Sequence, residues 1–567
     1  VAGALRQTQN SGYIFNMHHT GNPSVNAAIF KYLFRKEVYL VGKKIRIEKG
    51  IFLPTSIILL GVIFFGFLFN DAFVSSMGFL FTACTDGLGW FIMIGSVLMV
   101  VVALIVCFTP LADKKVGGEE AKVQHSLFSW CAMAVCSGIA TAVVFYAVGE
   151  PITYFHTPPA WWHIDPESPD AVVRAISQSQ YHWGFIYYGI FTYWGLISGY
   201  MIYNHKLPPR PSSAFYPLLK DKVFEWPGKL IDIVSLLALI GGMVTSLGFG
   251  VQQFAAGLNY VFGITPSNMI YIITLAAVTV SFTASSGRGL KAGMAVISSL
   301  NSYIYILLIT FLFIAGDTVF EFKLLTASIG RQLMDFIPNS FSLDPTNEGG
   351  GWYQGWTVFY MAWITAYAPL IGCFLAKISQ GHKWRTYILV NIFVPAAFVT
   401  VWFVAFGGNA IYKDLYEGAT IGAEVAEKGI PVASFALMNV MPLKAITIPF
   451  IVLALFFSFI TLADAMTGTI ASMTIKDTSA EEAPVAVKFY WGTLTGVSTF
   501  LCLFVLGTAG TQALQNMSIV YAIPIYICTF ISVKPLIDMC TGKVDEFFDS
   551  LTEEEREKLA SGIPIGK

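Results

Sequence analysis

Charge is what this chain has least of. Asp, Glu, Lys and Arg together supply only 12% of its 567 residues, against about 25% in a soluble domain. The few charges cancel, 34 basic against 35 acidic, for a net charge of −1. No basic surplus points to nucleic acid. The eight cysteines lie mostly in apolar runs without metal-ligand spacing and read as small buried hydrophobes. His-Glu-x-x-His, the phosphate-cradling G-x-x-x-x-G-K-[ST] and the nucleophile elbow are all missing. Gly248-Phe-Gly250 lacks the preceding strand that a dinucleotide site needs. No polar segment is long enough to be a soluble enzyme domain, so an enzyme is not expected. The N-terminus is polar and then basic before the first apolar run, unlike a signal peptide.

Apolar side chains fill the space that charge leaves. They make up 55% of the chain, and the mean hydropathy is +0.64. Run after run approaches the roughly 20 residues that cross a bilayer as a helix. Twelve spans are predicted, at 51–71, 89–109, 127–149, 183–204, 230–261, 268–285, 292–316, 355–377, 386–407, 446–473, 487–507 and 514–534. The expected fold is therefore an all-α integral membrane protein. Basic residues crowd the segment from Lys31 to Lys49 and recur in alternate loops, as at Lys114 and Lys115, Arg210 and Lys220, or Lys383 and Arg385. The positive-inside rule then puts both termini in the cytoplasm, which requires an even number of spans. Residues 1–50 form a cytoplasmic segment, 51–534 the transmembrane domain, and 535–567 a cytoplasmic acidic tail with a short solvated helix around Glu553–Glu557.

Residues 150–182 read as an outer loop carrying Trp161 and Trp162 as interfacial anchors, and Trp183 opens the fourth span. Apolar residues at helical spacing over 319–338 predict an amphipathic helix along the membrane surface. The third and eighth spans each begin a group of five helices, at about 127–316 and 355–534. Two such groups after two extra helices suit an inverted-repeat transporter.

A few residues stand out against this background. Trp363 and Tyr367, four apart, share one helix face. Clustered ring faces attract a quaternary ammonium, which has no proton to lose. The stripe Trp183, Tyr187, Tyr188, Phe191 repeats the pattern on another span. In the third span Gly138, Ala140 and Thr141 are small. They suit either close helix packing or an unwound backbone that meets a ligand or ion. Glu150, beside Pro151 at the outer end of that span, marks the interface or a gate. Asp464 is a charge at membrane depth, and Thr461, one turn away, offers an oxygen to sodium or to a backbone carbonyl.

At these residues the chain resembles the betaine–carnitine–choline transporter family. The signature Trp-Thr-x-Phe-Tyr-Trp-x-Trp-Trp-x-Ser-Trp/Tyr-x-Pro reads here Trp356-Thr-Val-Phe-Tyr-Met-Ala-Trp363-Ile-Thr-Ala-Tyr367-Ala-Pro369. Ordered matches at Phe145–Pro151, Tyr181–Gly184, Arg210–Ala214, Gly228–Asp232 and Thr245–Gly248 support it. The stretch from Ser137 and the turn at Thr157 look closest to the carnitine/γ-butyrobetaine exchanger branch.

The resemblance implies a LeuT-like 5+5 inverted repeat, a homotrimer, and an aromatic box at Tyr154, Trp183, Trp363 and Tyr367. Tyr188 stands where other members have Trp, and Met361 and Ile364 replace family tryptophans. In sodium-coupled members a Thr-Ser pair in the tenth span helps bind the ion; here the pair is Thr461-Leu462. In sodium-independent exchangers an arginine in the seventh span takes the ion's place; here the matching residue is Asn301. The implied function is secondary transport of a trimethylammonium solute (carnitine, γ-butyrobetaine, glycine betaine or choline) across the plasma membrane. No cofactor is expected, sodium remains open, and the partners are the solute and membrane lipid. The alternative is a receptor of the same fold that binds the solute without net transport.

Overall fold

The computed structural model describes residues 38–40, 43–285, 290–476, 483–505 and 510–566. It divides into two units, Val1–Ile47 and Glu48–Lys567. In the first, an unanticipated two-stranded antiparallel ladder pairs β1 (Val38–Leu40) with β2 (Lys43–Ile45), Tyr39 lying opposite Lys44.

The second unit is helical. Its helices include α1 (Lys49–Leu68), α2 (Asn70–Thr82), α3 (Leu88–Val106), α4 (Leu127–His156), α5 (Pro169–Trp183), α6 (Phe185–Gly199), α7 (Trp226–Phe262), α8 (Asn268–Ser285) and α9 (Leu290–Ala315). Then follow α10 (Thr318–Phe341), α11 (Phe359–Ile378), α12 (Trp384–Phe403), α13 (Lys444–Met473), α14 (Val485–Phe500), α15 (Gly510–Cys540), α16 (Lys543–Asp549) and α17 (Glu553–Ala560). Among the described residues seven helices are long and apolar enough to cross a membrane, and nine if each of two bent pairs counts as one span. The other expected spans, 183–204, 268–285 and 487–507, fall on α6, α8 and α14, of 15, 18 and 16 residues. Large apolar side chains such as Phe64, Phe79, Leu333 and Met334 are exposed. Such a surface aggregates in water but suits lipid.

Two expectations change. Residues 150–182 are not a loop. α4 runs on to His156, and α5 follows a short turn at Ala160–Trp162. Ser168 caps α5 by accepting the Ala171 amide, Pro169 occupies its first turn, and Ala171, Val172, Ala175 and Ile176 are buried. Proline there sacrifices no hydrogen bond. Consequently Trp183 closes α5 rather than opening the fourth span, and the chain turns at Gly184 before α6 begins. The twelfth expected span, ending at 534, continues as helix to Cys540. The predicted amphipathic segment is α10, bent 115° from the preceding helix.

α11 packs along α6, α7 and α15. Its approach to α6 is backbone against backbone. A β-carbon built on Gly372 falls 2.3 Å from the Gly195 nitrogen and 2.8 Å from the Phe191 carbonyl oxygen. Small residues let membrane helices gain dispersion contact in this way. Tyr526 on α15 ties three helices together, its hydroxyl lying 2.7 Å from Ser96 Oγ, 2.8 Å from Thr365 Oγ1 and 2.9 Å from the Met361 carbonyl oxygen.

The acidic tail is docked. Asp545 on α16 accepts from Lys114 Nζ and Tyr200 Oη, both at 2.5 Å, and His205 Nε2 lies 3.3 Å away. The His205 ring stacks on Phe548 at 4.2 Å. α17 carries a capping box between Thr552 and Glu555. Burial alone would raise the Asp545 carboxyl, but hydrogen bonds from His205, Lys114 and Tyr200 outweigh it and hold the group well below the usual carboxylate range. A depressed carboxyl contributes stability above its unfolded pKa of about 3.9 and loses it as pH falls through the folded value. Asp545→Ala is therefore expected to speed amide exchange across 543–566 at neutral pH, whereas the wild-type tail stays protected down to about pH 4. Unchanged exchange in the variant would show that this clamp does not hold the tail.

Candidate functional site

α4 is bent by 63° between Leu127–Gly138 and Ala142–His156. Beside the bend lies a cavity. α4 contributes Ser137 and Ala142; the α5–α6 junction adds Trp183, Tyr187 and Phe191; α7 adds Ser246; α11 adds Trp363, Ile364, Tyr367 and Ile371; α13 adds Leu462 and Met466. Among the described residues no Asp, Glu, Lys or Arg lines it. Its volume is ≈ 20 Å³, room for about one water. Little free space is left between its rings.

The rings are fixed by their neighbours. Trp183 and Trp363 meet edge to face at 6.1 Å, and Trp363 stacks on Phe359 at 5.4 Å. Tyr187 packs on Trp183 at 5.6 Å and on Phe191 at 4.9 Å. Trp363 Nε1 donates to the Gly242 carbonyl at 3.4 Å, and the Tyr367 hydroxyl meets Ser246 Oγ at 2.6 Å. The polar edges are thus engaged by protein while ring faces and aliphatic side chains form the wall. A primary ammonium would leave N–H groups unsatisfied here. A methylated ammonium has none to satisfy, and its charge is attracted by the rings.

Behind Trp183 lies a buried carboxylate. Glu150 is 0% exposed. Its Oε2 accepts from Trp183 Nε1 and its Oε1 lies against His182 Nδ1, each at 2.6 Å. His182 Nε2 lies 2.9 Å from Thr357 Oγ1.

Toward the His156 end of α4 a second, wider chamber of ≈ 690 Å³ reaches down to Phe145, Tyr146 and Phe249. These rings form a single layer between chamber and cavity. Phe145 stacks on Phe249 at 5.0 Å, Tyr146 on Trp183 at 5.5 Å, and Phe249 meets Trp363 at 5.5 Å.

Of the residues singled out from sequence, the structure brings Trp183, Trp363 and Tyr367 onto the cavity. Tyr154 is elsewhere, two turns further along α4 and packed against Trp162, Trp352, Trp356 and His182 at 5.0–6.4 Å. The α4 ring at the level of Trp183 is Tyr146. Tyr188 points away too. Its hydroxyl donates to the Val135 carbonyl, and its neighbour Tyr187 faces the cavity while donating to the Gly138 carbonyl at 2.6 Å. Both tyrosines lie on Gly138, where a β-carbon would come within 2.5 Å of the Tyr188 ring and 2.8 Å of the Tyr187 ring. The side chains of Ala140, Thr141 and Asp464 lie outside the described residues.

Ser246, Leu462 and Met466 are additions that sequence reasoning did not place on the site, and Tyr187, read from sequence only as one ring of the aromatic stripe, joins them. Spacing held a signal for one pair: Met466 follows Leu462 by four on α13. Thr461 Oγ1 donates to the Phe457 and Ser458 carbonyls at 2.8 and 3.0 Å. Leu462 presents an aliphatic side chain beside it. Asn301 Nδ2 bonds Tyr305 Oη and Ser458 Oγ, each at 3.0 Å. Among the described residues no group of three His, Cys, Asp or Glu is placed to hold a metal ion.

Known proteins share this chain's sequence over most of its length. A probable glycine betaine transporter of Desulfitobacterium hafniense (strain Y51) is 31% identical over 474 residues, covering 84% of this chain and 93% of the relative. Glycine betaine transporter 1 of Vibrio parahaemolyticus is 32% identical over 466 residues, 81% of this chain and 86% of the relative. An ectoine/hydroxyectoine transporter of Virgibacillus pantothenticus is 30% identical over 445 residues, 78% and 87%. These names carry glycine betaine and ectoine rather than carnitine. The profile of the BCCT family, betaine/carnitine/choline family transporters, matches residues 50–543. The chain belongs to that family of multi-pass membrane transporters.

Proposed function

We propose that this protein is a secondary transporter of a trimethylammonium solute and that the cavity beside the α4 bend is its binding site. The observation that carries the reading is the convergence of Trp183, Trp363 and Tyr367 on one cavity. A desolvated cation–π contact contributes about 2 kcal/mol, so two or three offset much of the hydration a methylated ammonium gives up. No covalent chemistry is required.

The closed cavity is one state of the cycle. Solute enters from the ≈ 690 Å³ chamber when the Phe145–Tyr146–Phe249 layer parts, and the collapsed rings separate around the methyl groups. Release follows when one five-helix group rocks against the other in a twelve-span inverted repeat. The alternating basic loops orient both termini to the cytoplasm and the chamber to the outside of the plasma membrane. The working assembly is a homotrimer. Thr461 Oγ1 is engaged by the Phe457 and Ser458 carbonyls and Leu462 is aliphatic, so no step is routed through sodium.

Counterflow in proteoliposomes tests the reading, with and without sodium and with glycine betaine, carnitine, γ-butyrobetaine and choline as a panel. Saturable, sodium-independent accumulation of at least one of them is expected. Binding without any uptake would replace the transporter with a receptor.

A further inference from the structure

We propose that Tyr187 and Tyr188 hold the bend in α4, and that Tyr187 thereby couples the solute site to the movement of that helix. The inference rests on the binding site proposed above. A sharp bend in a helix has a cause, and one such cause is a side chain inserted into the ladder of backbone hydrogen bonds. α4 bends by 63° between Leu127–Gly138 and Ala142–His156. Two carbonyls of the arm before the bend take phenol donors from α6. The Tyr187 hydroxyl donates to the Gly138 carbonyl at 2.6 Å, and the Tyr188 hydroxyl donates to the Val135 carbonyl at 3.2 Å. A carbonyl can only accept, so the direction of both bonds is fixed. Val135 and Gly138 are the fourth-last and last residues of that arm. The final four carbonyls of a helical arm are those that lose their partners when the chain turns away. Gly138 makes the approach possible, because a β-carbon there would collide with both rings.

The two tyrosines divide the work. Tyr187 lines the cavity and packs on Trp183 and Phe191. Its ring is part of the wall that an entering methylated ammonium displaces, while its hydroxyl grips the hinge. When a solute parts Trp183 from Trp363, the Tyr187 ring moves and carries the Gly138 carbonyl with it. Tyr188 is fully buried and off the cavity; it backs the Tyr187 ring at 5.0 Å and holds Val135, one turn earlier on α4. Each tyrosine acts on transport through the backbone of α4, and in that role is a positioning residue. Replacing either by phenylalanine keeps the ring and its face. It leaves a buried carbonyl without that donor, which disfavours the bent conformation. Solute then still finds its ring faces, but passage through the bent state slows.

The test is initial-rate counterflow of glycine betaine in proteoliposomes, resolved into maximal rate and KM, for Tyr187→Phe and Tyr188→Phe. Each variant is expected to lose about tenfold in maximal rate while its KM stays within about threefold of wild type. A purely structural role would instead lower the thermal midpoint and leave the rate per folded protein unchanged, and that result overturns the inference. So does a Tyr187→Phe protein whose KM rises while its maximal rate holds, since the hydroxyl then acts on the solute. A second measurement decides the matter even where a variant does not fold. Amide exchange at residues 139–142 of the wild-type transporter in nanodiscs is expected to slow at least about threefold when glycine betaine saturates the protein. Unchanged exchange there, with solute bound, would show that site and bend are not coupled. Trp363→Ala separates the two levels. If it binds glycine betaine normally, the site itself is misplaced; if it binds weakly while Tyr188→Phe keeps the wild-type maximal rate, only the role of the two tyrosines falls.

Discussion

Replacing Trp363 by alanine is expected to weaken solute binding at least tenfold, about 1.4 kcal/mol. The indole is 2% exposed and meets Trp183 edge-on, with Phe249 and Phe359 against its other sides. Its removal deletes a desolvated ring face from the cavity, a loss of about 2 kcal/mol in cation attraction. It also leaves a hole that water can enter. Truncating a buried tryptophan costs about 3–5 kcal/mol of stability, so binding must be read on protein shown to be folded. Trp363→Phe keeps most of the volume and one ring face, and is expected to fall between wild type and alanine. Isothermal calorimetry with glycine betaine, or with whichever solute gives counterflow, makes the comparison. Wild-type affinity in a folded alanine variant would remove Trp363 from the site.

The second large effect is structural. Gly372→Ala is expected to destabilise the bundle by about 3 kcal/mol, because the added methyl collides with backbone and no rotamer relieves it. The atoms in its way are the Gly195 nitrogen and the Phe191 carbonyl oxygen. Relief requires α6 and α11 to separate, and these two helices hold Tyr187, Phe191, Trp363 and Tyr367 against one another. Gly330→Ala is the matched control, since a β-carbon there meets nothing within 4 Å. Fluorescence-detected size exclusion after a temperature series should show early loss of the Gly372 variant and wild-type behaviour in the control. Equal thermal midpoints would mean that the α6–α11 contact tolerates more slack than its geometry allows.

Sequence reasoning located the region of the site but not its depth. The aromatic stripe on α11 was legible because Trp363 and Tyr367 repeat at helical spacing within a recognisable signature. Membrane helices also declare themselves through composition. α5 did not, because its buried face mixes Ala, Val and Ile with Ser177, Gln178, Ser179, Gln180 and His182. Those polar residues read as loop when their partners are unseen. In fact Gln180 reaches Ser328 on α10, and His182 reaches Glu150 on α4.

Tyr154 and Tyr146 lie on the same face of α4, eight residues apart, and periodicity cannot say which of two such rings sits beside Trp183. The position of α5 decides it. Glu150 stayed ambiguous for a similar reason. Beside Pro151 it resembles an interfacial charge, and only the fold reveals the two donors that hold it inside. Tyr187 was hidden by Tyr188, since adjacent residues on a helix face directions about 100° apart and the choice depends on how α6 is rotated.

The most direct measurement is a density map of the transporter bound to glycine betaine. The methylated nitrogen is predicted to lie within about 6 Å of the ring centroids of both Trp183 and Trp363, with those rings moved apart from their closed arrangement. Methyl density confined to the wider chamber, or anywhere else while the central rings stay collapsed, would contradict the account.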